Sequence, residues 1–292
     1  SPKNKIIITG YINGTSFDFD PGPGTYLLNS GRGNAQFISA YNMTGDFLFA
    51  SSAYTYKSSD SRSTNAAIDN DGNIYITGDY SNKVDFDPGP DSNIIISNQR
   101  KTDIYFQKYD YNGNYMFTKT IATQYQYGGD KIARGICADK QKNIYLAGTF
   151  LNRTDFDPGP DSAFLSIQQN VNDYLDIFLA KYDSAGNYIY AYNLGNVDTM
   201  LNDGYPLTHQ NFGEDIYVND AGEVLLGGET SGNLDLGLGT DTLFLHPTYA
   251  GYNFFLIKYL QQTSSLIAIP VADISLSPAL LNREAVFKKI RK

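Results

Sequence analysis

Apolar residues along this chain fall in short runs that end at clusters of Asp, Asn and Gly, the pattern of strands joined by tight turns. The stretch from residue 132 to 194 shows it best. Ile132 to Ala138 reads as a first strand, Asp139 to Lys142 as a polar turn and Asn143 to Phe150 as a second strand. A polar excursion and a short apolar run (Ala163 to Ile167) come next. Asp176 to Tyr182 is a third strand, Asp183 to Gly186 a turn and Asn187 to Leu194 a fourth. Turns of the form Asp/Asn-x-x-Gly also stand at 69–72, 110–113 and 219–222 between apolar runs, which predicts antiparallel hairpins.

The pattern repeats. Asp-Phe-Asp-Pro-Gly-Pro occurs at 18–23, 85–90 and 155–160, with a decayed copy, Asp-Leu-Gly-Leu-Gly-Thr, at 235–240. Upstream of each copy lies an Ile/Val-rich strand ending in Gly, at Ile6 to Gly10, Asn73 to Gly78, Asn143 to Gly148 and Val224 to Gly228. Downstream of each comes a further motif, clearest at Asp103 to Asp110 and Asp176 to Asp183, with weaker copies at Asn253 to Leu260 and Ala35 to Asn42. Three motifs in fixed order, four times over, define units of about 5–55, 64–123, 131–195 and 212–270. Four antiparallel strands per unit predict an all-β fold, a β-propeller of four blades. The first unit lacks a first strand. Val271 to Ser277 resembles the first strand of unit four, Glu214 to Asn219, so it is expected to pair with Lys5 to Tyr11 and close the ring. A longer array with more blades is the alternative. Residues 278–292 form a basic tail, read as a solvated extension or a docking segment.

Composition narrows the function classes. Only four of the 31 acidic residues are Glu, beside 27 Gly, 24 Tyr and 17 Phe, which favours turns and strands over helices. A net charge of −9 argues against nucleic acid as a partner. No apolar stretch reaches the length of a membrane-spanning helix. The single cysteine, Cys137, lies in an apolar run and reads as a small buried hydrophobe.

Asp69-Asn-Asp-Gly-Asn-Ile-Tyr-Ile-Thr-Gly78 with Asp103 to Gly113, and Asp139 to Gly148 with Asp176 to Gly186, resemble the bacterial β-propeller repeats called SBBP repeats. Unit four departs from them with Glu223 in place of Asn, and unit one with Ala40 in place of the recurring Lys. The resemblance covers about residues 5–277. It implies a propeller and a secreted or cell-surface bacterial setting, and it carries no catalytic residue.

The repeated excursions are the main chemical candidates. Asp18 and Asp20, Asp85 and Asp87, and Asp155 and Asp157 each place two carboxylates at i and i+2, a start on an oxygen cage for calcium to which Asp91 and Asp161 could add. Equally, Asp can cap turns with its own side chain and Pro-Gly-Pro can stiffen a loop. Phe17, Phe19, Phe86 and Phe156 are expected to anchor the excursions. Lys108, Lys181 and Lys258 recur at one strand position and are expected to pair with nearby carboxylates. His209 and His246 stand in unlike contexts, and no Ser/His/Asp set can be assembled.

The expected function is therefore a non-catalytic binding or structural module, contacting protein or glycan at a cell surface and stabilised by calcium if the Asp loops hold it. The alternative is a carbohydrate-active enzyme, for which Glu214, Glu223 and Glu229 are the suspects. The least repetitive segments, 54–63, 124–130, 168–174 and 196–211, are where a partner would be read.

Overall fold

A computed structural model of the chain describes residues 4–87, 89, 91–97, 102–123, 132–151, 153–167, 175–195, 210–239, 242–245, 252–262 and 265–269. Strands and connecting turns make up these residues, with no helix among them and so none able to cross a membrane. The expected closing strand 271–277, the tail 278–292, both histidines and the segments 124–130, 168–174 and 196–209 lie outside them.

The four units fold as four antiparallel sheets, named I to IV, with strands a to d in chain order. Sheet I holds Ile6–Ile12 (b), Ala35–Tyr41 (c) and Phe47–Ser52 (d), with no a strand among the described residues. Sheet II holds Asp60–Ile68, Ile74–Ser81, Thr102–Tyr109 and Tyr115–Thr123, and is extended to six strands by Arg153–Asp155 and Phe164–Ser166 of the third unit's excursion. Sheet III holds Ile132–Ala138, Ile144–Phe150, Asp176–Tyr182 and Tyr188–Leu194. Sheet IV holds Asn211–Val218, Val224–Thr230, Asn253–Gln262 and Ser265–Ile269. The segment 54–63, expected to be irregular, contributes the short strand Tyr54–Thr55 and the start of strand a of sheet II.

Each sheet packs face to face on the next. Strand c of sheet III shows how. Ile177 and Leu179 enter the core shared with sheet IV, while Phe178, Ala180 and Tyr182 enter the core shared with sheet II. A strand buried on both faces needs no polar alternation, which is why Asp-Ile-Phe-Leu-Ala-Lys-Tyr is apolar at nearly every position. A third core joins sheets I and II around Ile38, Ile74, Ile76 and Tyr105. Cys137 lies buried in the sheet III–IV core, as expected, where burial pushes its thiol well above the usual range.

Adjacent a strands lie side by side, sheet II against III and III against IV. Gly135 permits the second approach. A Cβ there would stand 2.8 Å from the backbone nitrogen of Ile216.

Candidate functional site

The a–b turns use one geometry three times. Asp69 Oδ1 accepts the backbone N–H of Asp71 and Asn73, and its Oδ2 accepts the Asn73 side-chain amide and the Tyr75 hydroxyl. Asp139 repeats this with Asn143 and Tyr145. In sheet IV the charge moves: Asn219 takes the capping place and accepts from Ala221 and Glu223, and the carboxylate now belongs to Glu223. The recurring lysines follow these carboxylates. Lys181 pairs with Asp139 at 3.6 Å, both side chains being almost fully buried, and Lys258 pairs with Glu223 at 3.3 Å. Lys108 donates instead to the carbonyl of Ser184 in the next sheet. Burial lowers its pKa, against the pull of Asp69. Ala40 stands at this position in sheet I, which has no a–b turn among the described residues. The lysines are thus parts of the frame.

The Asp-x-Asp excursions are short hairpins closed by their first aspartate. Asp85 Oδ1 accepts the N–H of Asp87 at 3.2 Å and of Asn93 at 2.9 Å, and Asp87 Oδ1 accepts Gly89 N–H. Asp18 with Asp20, and Asp155 with Asp157, repeat every bond at the same offsets. In the decayed copy Asp235 still binds Gly237 and Leu243. Phe19, Phe86 and Phe156 anchor the hairpins on strand c aromatics, with centroids 4.9, 4.8 and 5.0 Å from Phe37, Tyr105 and Phe178. Phe17 is exposed and has no such place. One oxygen of every candidate calcium ligand is thus taken up by backbone N–H groups. Asp91 and Asp161 are exposed at the surface. Among the described residues, no group of three or more His, Cys, Asp or Glu gathers in a way that could hold a metal ion.

The a strands carry their least repetitive chemistry at one row. Each a strand carries a β-bulge, between Ser63 and Asn65, between Ala133 and Gly135, and between Gly213 and Asp215. The extra residues are Thr64, Arg134 and Glu214, three different chemistries at equivalent places. A bulge inserts one unpaired residue and re-aims its side chain. Arg134 and Glu214 form an ion pair at 3.2 Å with both side chains 38% exposed. The Thr64 hydroxyl donates to the carbonyl of Ala133, and Asn65 Nδ2 donates to that of Arg134 at 2.8 Å. These residues with Asp79 and Asp215 line an open cleft of about 500 Å³. Burial raises the Asp215 pKa and the Glu214 charge adds to the rise, against hydrogen bonds from Ile216 and Asn65. Asn65 and Asp215 also border a second cavity of about 310 Å³ that runs along the a strands to the turns.

The three glutamates suspected of catalysis do not gather at one place. Glu223 is bound in its turn, about 20 Å from Glu229 at the rise of a strand, whereas Glu229 pairs across the sheet with Phe212, two residues from Glu214, whose carboxylate pairs with Arg134. In the sequence Glu214 stands out only as one of four glutamates. Its place opposite Arg134 depends on a bulge that no single-sequence signal announces.

The chain matches no family model and no curated protein.

Proposed function

We propose that this chain is a non-catalytic binding or structural module built as a four-bladed β-propeller, and that its ligand is held at the cleft where the bulges present Thr64, Arg134 and Glu214. The observation that carries this reading is the contrast between frame and cleft. Turns and hairpins keep one geometry through their substitutions, such as Asn219 for Asp69 and Asp139, while the bulge row holds a hydroxyl, a guanidinium and a carboxylate. A repeated position that carries different chemistry in each copy suits recognition of one asymmetric ligand. The propeller reading is supported by three successive units, II to IV, each with four antiparallel strands and meeting along their a strands. The secreted or cell-surface setting, with protein or glycan as partner, rests on the resemblance to SBBP repeats. Calcium at the Asp-x-Asp loops is a separate proposal, tested below.

Glycan and protein arrays probed with the wild type and with Arg134→Ala and Glu214→Ala variants test the reading. A ligand bound by the wild type and lost in both variants, at unchanged melting temperature, is the expected result. Hydrolysis of a glycosidic substrate that disappears in Glu214→Gln would overturn it in favour of a carbohydrate-active enzyme.

A further inference from the structure

The cleft at the bulge row offers a ligand more negative charge than positive. Asp79, Glu214 and Asp215 line it against the one guanidinium of Arg134. Arg62 stands across the strands from Asp79, but its guanidinium lies 5.5 Å from the ring centroid of Tyr11 in sheet I and does not line the cleft. Arg134 is already engaged by Glu214 and sits 5.8 Å from the Phe212 ring. An anionic ligand would have to displace Glu214 from Arg134 and then face Asp79 and Asp215. A cationic one meets complementary charge.

Asp215 is the group that such a cation would satisfy. Its hydrogen bonds both fall on Oδ1, from Ile216 N–H at 2.8 Å and from Asn65 Nδ2 at 3.5 Å, so Oδ2 has no donor among the described residues. The frame does not need its charge. Asn65, Gly135 and Asp215 follow the three bulges at equivalent places, and Asn65 Oδ1 accepts the next N–H, that of Ala66, as Asp215 Oδ1 does. An amide oxygen thus serves the local turn equally well. Asp215 is half-buried at the border between the cleft and the narrower cavity along the a strands. Burial, with Glu214 beside it, raises its pKa, as befits a carboxylate short of positive partners.

The remaining lining indicates what carries the cation. No aromatic side chain lines the cleft, so a sugar ring finds no flat face on which to lay its C–H groups. Ile132 supplies an apolar wall for an aliphatic stem with a charged tip. A guanidinium has five N–H donors, and among the described residues only Arg134 Nη1 finds an acceptor, so donors remain for a carbonyl. An aliphatic stem, a terminal cation and an adjacent carbonyl together describe a lysine or arginine residue in a peptide chain.

We infer that the cleft receives a basic side chain of a partner protein, with its ammonium or guanidinium on Asp215 Oδ2 and its main-chain carbonyl accepting from Arg134. The inference deepens the reading of the cleft as a recognition site and rests on it.

The test titrates the full 292-residue chain with acetylated, amidated Gly-Gly-X-Gly-Gly peptides in which X is arginine, lysine, citrulline or glutamate, followed through the amide resonances of Thr64, Asn65 and Ile216. The arginine and lysine peptides are expected to shift these resonances. Citrulline keeps the shape of arginine without its charge and is expected to bind about tenfold more weakly. The glutamate peptide is expected to bind least. Asp215→Asn retains the oxygen used by Ile216 and Asn65, so it is expected to bring arginine down to the level of citrulline at unchanged melting temperature. Equal binding of citrulline, tighter binding of glutamate, unchanged affinity in Asp215→Asn, or no response to any peptide would each overturn the inference. Glucosamine that shifts the same resonances at lower concentration than the arginine peptide would overturn it in favour of an amino sugar. An array ligand lost in Arg134→Ala and Glu214→Ala but kept in Asp215→Asn would sink this inference alone and leave the recognition reading standing.

Discussion

The ammonium of Lys142 pairs with the carboxylate of Asp71, tying the a–b turn of sheet III to that of sheet II. Lys142 does so from a left-handed backbone conformation, φ 66°, at the turn position where Gly45, Gly72, Gly113, Gly186 and Gly222 stand in the other copies. A side chain there is strained, and the Asp71 carboxylate holds its charge by raising the Lys142 pKa.

Lys142→Gly therefore removes a strained residue and a solvent-exposed ion pair together. Exposed pairs contribute little to stability, so the melting temperature is expected to rise and to become less sensitive to salt. A fall in melting temperature at all salt concentrations would mean that the pair outweighs the strain.

The Asp-x-Asp hairpins separate turn closure from metal binding by one substitution. Asn keeps the side-chain oxygen that accepts Asp87 and Asn93 N–H, whereas Ala removes it. Asp85→Asn is expected to leave stability nearly unchanged and Asp85→Ala to lower it by about 1–2 kcal/mol in urea unfolding. The calcium proposal makes the opposite demand: a melting temperature raised by calcium and lowered by a chelator, with the difference abolished in Asp85→Asn.

Buried tyrosines set an alkaline limit. Burial, the largest cause, raises the pKa of Tyr105 and Tyr182 well above 10.0, and that of Tyr109 follows. The unfolded chain ionises near the ordinary value and the folded chain does not, so stability is intact below that pH and lost as pH climbs through it. The chain has no tryptophan, so tyrosinate absorbance reports the event cleanly. Ionisation of these tyrosines is expected to coincide with loss of β circular dichroism; full ionisation with the sheets intact would contradict the burial.

Gly135→Ala drives a methyl group into the backbone of strand a in sheet IV. Overpacking of this kind costs about 1–3 kcal/mol. It is also expected to widen the gap between Arg134 and Glu214, so ligand affinity should fall in step with the denaturation midpoint.

The strands and hairpins could be read in the sequence because each is a local pattern repeated up to four times. The third unit illustrates it, with strands at 132–138, 144–150, 176–182 and 188–194 where periodicity placed them. The pairing of Lys181 and Lys258 with carboxylates was legible for the same reason, since Lys and Asp or Glu recur in step. The partner of Lys108 was not, because the Ser184 carbonyl belongs to another sheet. Nor was the bulge row. One inserted residue resets the two-residue alternation, so Thr64, Arg134 and Glu214 look like any other strand positions until register is known. Asp18, Asp85 and Asp155 were conspicuous, yet the hydrogen-bond register that makes them turn closures appears only in three dimensions.

Past the end of strand d the chain meets the next unit's excursion hairpin: Tyr54 pairs with Asp85, Ala122 with Asp155, and the Gly195 carbonyl accepts the N–H of Asp235. These contacts fix the chain to the next unit before the connection to the following a strand begins, so the length of that connection has little leverage on sheet register. The connection between Leu194 and Asn211 is twice as long as that between Thr123 and Ile132, yet sheets III and IV mate as sheets II and III do. Such connections are permissive ports, where insertions can accumulate or foreign sequence can be grafted while the scaffold keeps its shape.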